Sequence, residues 1–139
     1  MALKDVKGKD TKISRSFKDV GMSFSRNRFT DDAASVKNDN AIKQSIKNLV
    51  LTAPGEKPFN FAVGSRVSQL LFEPLDPFTC DAIQEEIINT ISQYEPRVSL
   101  TDVQAVAFEQ GNKLAVTVEY TIVGQPIVES INFVLQRPE

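Results

Sequence analysis

The fold is decided where one hydrophobic period gives way to another, in the stretch Gln93-Tyr94-Glu95-Pro96-Arg97-Val98. After this stretch, apolar and polar residues alternate, which is the period of a strand. Pro96 forces the change, because its ring disfavours helical backbone at Glu95 and it has no N–H to donate. Before the stretch, apolar residues recur every three or four positions and predict a long helix with one buried face: Cys80, Ile83, Ile87, Ile91 and Tyr94.

The corner carries two opposite charges in an unusual place. Glu95 lies at the C-terminal end of the predicted helix, where the macrodipole disfavours an anion. Arg97 follows two residues later, and residues two apart in extended backbone point the same way. The charges could therefore pair as a fork, contact a partner chain, or lie solvated at a simple corner.

The residues after the corner predict a three-stranded antiparallel meander. A change of parity between Leu100 and Val103 predicts a bulge near Asp102. Residues 114–123 alternate cleanly, and residues 127–135 follow after a turn that contains Gly and Pro. An open sheet of this kind has two edges, and an open edge is a template for strand addition by another chain.

The residues before the corner predict a short strand and three helices. Val20, Met22 and Phe24 alternate with small residues, which predicts a half-buried strand, and the polar residues 27–40 predict a loop. The first helix is expected over residues 40–51. Phe59 and Phe61 are expected to anchor the next connector to the core.

Two caps are predicted for the later helices. Ser65 can cap a short helix that contains Val67 and Leu70, and Asp76 can cap the long helix with Pro77 at its first position. We predict Ile88 to broaden the buried face of that helix. The predicted fold class is α+β: an N-terminal strand, two or three helices, then a three-stranded antiparallel meander packed against the long helix.

Charge is distributed unevenly along the 139 residues. Residues 1–28 hold eight basic and three acidic side chains, a net charge of +5, whereas the whole chain has a net charge of −2. We predict a flexible basic arm over residues 1–16 and a single α+β domain over residues 17–139. A small adaptor that binds through this arm is one alternative function. A protein partner is favoured over nucleic acid, because Phe17 alone is near enough to stack on a base.

The sequence lacks the residues that several classes of chemistry require. The sequence has no His, one Cys and no phosphate-binding Gly loop, so we expect neither a metal nor a cofactor. No apolar run is long enough to span a membrane, and the lone Cys80 suits synthesis in a reducing cytoplasm. A cell-wall glycosidase needs two carboxylates about 5–9.5 Å apart and is the alternative testable with peptidoglycan. Its candidate carboxylates are Glu73, Asp76, Glu85, Glu86 and Glu95.

Five short motifs occur in a fixed order, each weak alone but specific together. The motifs are Asp39-Asn40-Ala41-Ile42-Lys43-Gln44-Ser45-Ile46-Lys47-Asn48-Leu49, Pro54-Gly55-Glu56, Gly64-Ser65, Leu70-Leu71-Phe72-Glu73-Pro74 and Tyr94-Glu95-Pro96-Arg97-Val98. Together they resemble the baseplate wedge and sheath-initiator family of contractile phage tails, a lysozyme-like baseplate protein family with relatives in type VI secretion baseplates. The likeness covers about residues 20–135.

The resemblance implies a structural protein of the virion tail baseplate rather than an enzyme. It implies that Glu95, Pro96 and Arg97 contact the helical core bundle of neighbouring wedge subunits. It also implies a sheet edge on which the first ring of tail sheath protein is templated, with tail tube proteins as further candidate partners. On that edge we expect specificity from alternate side chains of the last strand: Val128, Ser130, Asn132 and Val134.

Overall fold

The computed structural model describes residues 17–108 and 112–136. The basic arm predicted for residues 1–16 lies outside the described residues. The chain divides into two compact units, Met1–Ser45 and Ile46–Glu139, and the boundary falls inside the first long helix. A single domain over residues 17–139 stays a prediction.

The first unit contains a pair of short antiparallel strands, β1 (Lys18–Val20) and β2 (Ser35–Lys37). The prediction of a half-buried strand through Met22 and Phe24 is wrong in position, because the chain turns after Val20 and both side chains are exposed. Phe24 has a φ of 47°, outside the range of a strand. The predicted loop at residues 27–40 contains β2 and the start of the next helix.

Three helices follow: α1 (Asp39–Leu51), α2 (Val67–Leu70) and α3 (Pro77–Tyr94). Ser65 does not cap α2, contrary to the prediction. Its hydroxyl donates to the Val50 carbonyl at 2.6 Å and its N–H donates to the Thr52 carbonyl at 2.8 Å. A buried serine between α1 and α2 satisfies carbonyls at the end of α1 in preference to the first turn of a helix four residues long.

The N-terminus of α3 is capped as predicted. Asp76 has extended backbone, its Oδ1 accepts a hydrogen bond from the Thr79 N–H at 2.8 Å, and Pro77 occupies the first turn. The stripe from Cys80 to Ile91 is buried, whereas Ile88 is exposed, so the prediction that it broadens this face is wrong. The buried stripe is enough to pack α3 against β3 and α2, the two described elements that it contacts most.

The Asp76 cap makes the stability of α3 depend on pH. Hydrogen bonds from the backbone N–H and then the hydroxyl of Thr79 lower the pKa of Asp76. A lowered pKa stabilises the folded state at pH values above the unfolded pKa, about 3.9, and the contribution is lost as pH falls through the folded pKa. We expect Asp76→Ala to lower the melting temperature by a few degrees at pH 7, and the loss to be smaller at a pH below the folded pKa of Asp76, where the parent keeps only a neutral cap oxygen. Thermal unfolding followed by circular dichroism at both pH values checks this, and Asp76→Asn, which keeps the cap oxygen, should lose less. An equal loss at both pH values would contradict it.

The C-terminal half forms a three-stranded antiparallel sheet in the order β3–β4–β5: β3 (Val98–Ala107), β4 (Lys113–Ile122) and β5 (Val128–Gln136). The register shifts between Leu100 and Asp102, which confirms the predicted bulge. Helix α3 packs against β3. The predicted α+β fold class is therefore confirmed. The alternating side chains of β4 supply much of the core: Leu114, Val116, Val118, Tyr120 and Ile122.

Candidate functional site

The corner after α3 is held by main-chain hydrogen bonds on both sides. Glu95 has φ −122° and ψ 80°, and its N–H donates to the Ile91 carbonyl at 2.9 Å, which closes the last turn. Beyond Pro96, the Arg97 carbonyl accepts from the N–H of Val123 at the end of β4, also at 2.9 Å. The corner is therefore fixed to the helix and to the sheet at once.

Glu95 and Arg97 pair with each other through two parallel hydrogen bonds. Arg97 Nε donates to Glu95 Oε1 at 2.6 Å, and the second contact joins Arg97 NH2 to Glu95 Oε2 at 2.7 Å. The Glu95 side chain is 4% exposed and the Arg97 side chain 33% exposed. Of the three interpretations that the sequence left open, the structure shows the mutual fork.

The fork explains why a carboxylate lies at the unfavourable end of a helix. The macrodipole costs about 0.3–1 kcal/mol at such a position. Each hydrogen bond to a charged group contributes about 1.5–3 kcal/mol net of the hydrogen bonds to water that it replaces. Two such bonds outweigh the dipole, and Pro96 keeps Glu95 and Arg97 at the spacing that the fork needs.

The two charges differ in what they offer to a partner. Pro96 is exposed and Arg97 is partly exposed, whereas the Glu95 carboxylate is buried beneath the guanidinium. Glu95 therefore orients Arg97, and the exposed part of the corner consists of Pro96 and the outer side of Arg97.

The second candidate site is the outer edge of β5. Among the described strands, β5 pairs with β4 alone. Two hydrogen bonds determine which main-chain groups of β4 point toward β3: Phe108 N–H donates to the Lys113 carbonyl at 3.0 Å, and Val123 N–H donates to the Arg97 carbonyl. Main-chain groups alternate in direction along an antiparallel strand, so Lys113, Val123 and every second residue between them point toward β3. The other residues of β4, which include Val116 and Val118, bond toward β5.

The register then determines which groups of β5 face outward. Val116 of β4 lies opposite Phe133, and Val118 lies opposite Ile131, so these residues of β5 supply the inner ladder. The alternate residues direct their N–H and C=O groups to the open edge, and their side chains lie on the exposed face of the sheet. They are the four residues predicted for the sheath edge: Val128, Ser130, Asn132 and Val134.

Comparison with known proteins identifies the family. The profile of the family described as "Baseplate wedge protein gp25" matches residues 36–127, which contain all five motifs. The chain belongs to the gp25 baseplate wedge family. The family resemblance and the tail baseplate of the virion as its place are thereby confirmed, and the family is described as one of baseplate wedge proteins.

Individual relatives agree with this assignment. The baseplate wedge protein gp25 of Enterobacteria phage T4 is 28% identical over 86 residues, which cover 62% of this chain and 65% of the relative. The match thus spans less than two thirds of the length of that curated relative. A crystal structure from Geobacter sulfurreducens, of a protein named a tail lysozyme, has a TM-score of 0.66 at 23% identity and covers 73% of this chain and 92% of its own. A chain of the type VI secretion baseplate complex has a TM-score of 0.58 at 13% identity, with 72% and 93% covered.

The carboxylates considered for glycoside hydrolysis lie in different environments of this gp25 family member. Asp76 caps α3, Glu95 is paired with Arg97, and Glu86 accepts hydrogen bonds from Arg66. Glu73, Glu85 and Glu86 line a groove of about 500 Å³ beside α2. In the part of the chain that the structure describes, no group of three or more His, Cys, Asp and Glu residues could hold a metal ion. None of the described helices is long and apolar enough to cross a membrane.

The connector between α1 and α2 differs most from the sequence prediction. Phe59 and Phe61 do not anchor it to the core; Phe59 is fully exposed and Phe61 is 68% exposed. Phe59 has a φ of 65°, outside the range of extended backbone. Pro54, Gly55 and Pro58 are typical of a surface turn, and they are the sequence signal that indicates an exposed connector.

Proposed function

We propose that this protein docks on the core bundle of the baseplate wedge through its corner and templates the first ring of tail sheath by β-strand addition to β5. The observation that carries the proposal is the outer edge of β5, where alternate residues direct main-chain donors and acceptors away from the sheet. Family membership supports a structural role, and the partners named here are part of the proposal.

The corner suits docking because its shape is fixed before a partner arrives. A segment that binds in its free conformation loses little conformational entropy on association. The main-chain bonds to Ile91 and Val123 fix the backbone of the corner, and Glu95 fixes the direction of Arg97. A planar guanidinium presented beside a rigid proline fits a polar, closely packed wedge surface.

Strand addition suits the sheath interface because main-chain hydrogen bonds supply affinity whatever the incoming sequence, and alternate side chains add specificity. An extended sheath arm bound to β5 would meet one valine at each end of the edge, with Ser130 and Asn132 between them. Such an arm can hold to the edge while the sheath subunit rotates about a flexible linker during contraction.

The edge can be tested with a proline at a position whose N–H faces outward. We expect Asn132→Pro to fold, because this N–H takes no part in the ladder with β4. We expect it to bind purified sheath protein about tenfold more weakly or worse, because one main-chain donor is lost and the ring obstructs the incoming strand. Asn132→Ala, which keeps the N–H, is the matched control. Equal sheath binding by the proline variant and the parent, measured with immobilised protein, would refute strand addition at β5.

We further propose that the protein has no glycosidase activity. Asp76, Glu86 and Glu95 already accept hydrogen bonds within the protein, which supports structural roles for three of the five candidate carboxylates. Purified protein should leave the turbidity of a peptidoglycan suspension unchanged. A loss of turbidity that disappears in Glu85→Gln would overturn this part of the proposal.

A further inference from the structure

The connector between α1 and α2 presents two aromatic side chains to solvent. We name residues 53–64 the aromatic loop. Phe59 is fully exposed and Phe61 is 68% exposed, although both are large apolar side chains that folding ordinarily buries. Phe59 also has a φ of 65°, which is an outlier for a bulky residue and costs conformational energy. An unfavourable backbone conformation and a fully exposed ring thus occur at the same residue.

The aromatic loop is held by hydrogen bonds across it. Gly55 N–H donates to the Phe61 carbonyl at 2.8 Å, and Ala53 N–H donates to Glu56 Oε2 at the same distance. At the base, a Cβ on Gly64 would lie 2.6 Å from the Thr52 carbonyl oxygen, so the chain closes there as tightly as glycine allows. The rings are thus presented by a fixed backbone, which reduces the entropy lost on binding.

The aromatic loop adjoins the corner. The Tyr94 hydroxyl donates to the Ala62 carbonyl at 2.7 Å, and Tyr94 immediately precedes Glu95. A groove of about 680 Å³ lies between the aromatic loop and the last turns of α3, with Ser92 and Gln93 on its polar side. The aromatic loop is therefore bonded to the last turn of α3, directly before the corner, and the groove lies beside that turn.

We propose that Phe59 and Phe61 are aromatic anchors that insert into an apolar pocket on the same wedge partner that the corner binds. The inference rests on the proposed function of the corner. Large aromatic residues supply much of the binding energy of protein interfaces when a pocket on the partner buries them fully. The partner surface that fits is therefore an apolar pocket for two rings, bordered by polar groups that face Ser92 and Gln93.

The test compares three variants for binding to wedge subunits that are co-expressed from the same tail gene cluster and purified. Phe59→Ala/Phe61→Ala removes the anchors. Glu95→Leu/Arg97→Met removes the fork while filling its space, since apolar replacement of a buried ion pair is often tolerated. Phe78→Ala is the matched control: Phe78 is 83% exposed but lies at the start of α3, about 25 Å from the corner at 1.5 Å per residue. Thermal unfolding confirms that each variant is folded.

We expect the double phenylalanine variant to bind at least about thirtyfold more weakly, which corresponds to about 2 kcal/mol, and Phe78→Ala to bind within twofold of the parent. If the phenylalanine variant binds like the parent while the fork variant has lost binding, the anchoring role of Phe59 and Phe61 is refuted. The proposed docking role of the corner is then supported. If both bind like the parent, the proposed function of the corner fails as well. If the phenylalanine variant alters only self-association, measured by light scattering, the rings contact a second copy and the inference is overturned.

Discussion

Arg97→Ala is expected to lower the free energy of unfolding by about 3 kcal/mol. Removing one partner of a buried ion pair typically costs about 3–5 kcal/mol. The lower end applies because the Arg97 side chain is one third exposed, whereas the Glu95 carboxylate left behind is 4% exposed. Urea unfolding followed by circular dichroism measures the change.

The matched control for this prediction is Glu95→Leu/Arg97→Met, which removes both charges together. We expect its free energy of unfolding to lie within about 1 kcal/mol of the parent, because no buried charge remains and the apolar side chains fill the space. If Arg97→Ala costs less than about 1 kcal/mol, the fork does not support the corner in solution, and the argument that it positions Arg97 fails.

Gly64→Ala is expected to destabilise the protein by about 3 kcal/mol as well, by a different mechanism. Gly64 has a φ of 140°, and an added Cβ would lie 2.6 Å from the Thr52 carbonyl oxygen and 2.8 Å from the Ala53 carbonyl carbon. Overpacking costs about 1–3 kcal/mol and a strained backbone costs a similar amount. The obstructing atoms are backbone, so the aromatic loop must shift as a whole.

Gly55→Ala separates the two contributions. Gly55 also has a positive φ, 90°, but nothing lies within 4 Å of its added Cβ, so only backbone strain of about 1–2 kcal/mol applies. In the same urea titration, the free energy of unfolding should therefore be highest for the parent, lower for Gly55→Ala and lowest for Gly64→Ala. Equal losses of unfolding free energy in the two variants would show that the close approach of backbone atoms at Gly64 does not contribute to the cost.

The C-terminal part of the fold follows from periodicity because each element there buries a face. The buried residues of α3 and of β4 face the same core, so the spacing of apolar residues predicts which face of each element is buried. No such apolar pattern marks the strands β1 and β2. Both are three residues long, and every side chain of β1 is exposed. Their pairing comes from main-chain hydrogen bonds, which any sequence can make.

The candidate site was predictable in its residues but not in its geometry. The spacing of Glu95 and Arg97 predicts that a fork is possible, yet the burial of Glu95 depends on the sheet end that supplies Val123, a residue distant in the sequence. Alternation along β5 predicts which side chains share a face. The outward direction of its main-chain groups follows only from the register with β4.

The aromatic loop shows where residue type misleads. Phenylalanine predicts burial on average, but Phe59 and Phe61 are exposed, in a loop with a positive φ at Phe59 and a close approach of the chain at Gly64. Neither feature is visible without the backbone.

The central claim, strand addition to β5, is tested most directly by amide hydrogen exchange with and without purified sheath protein. In the free protein, the N–H groups of Ser130, Asn132 and Val134 should exchange fast, and those of Ile131 and Phe133 slowly, because only the latter two donate to β4. Saturation with sheath protein should slow the three fast amides markedly and leave the two slow ones unchanged. Bound sheath protein with no change at Ser130, Asn132 and Val134 would contradict the account.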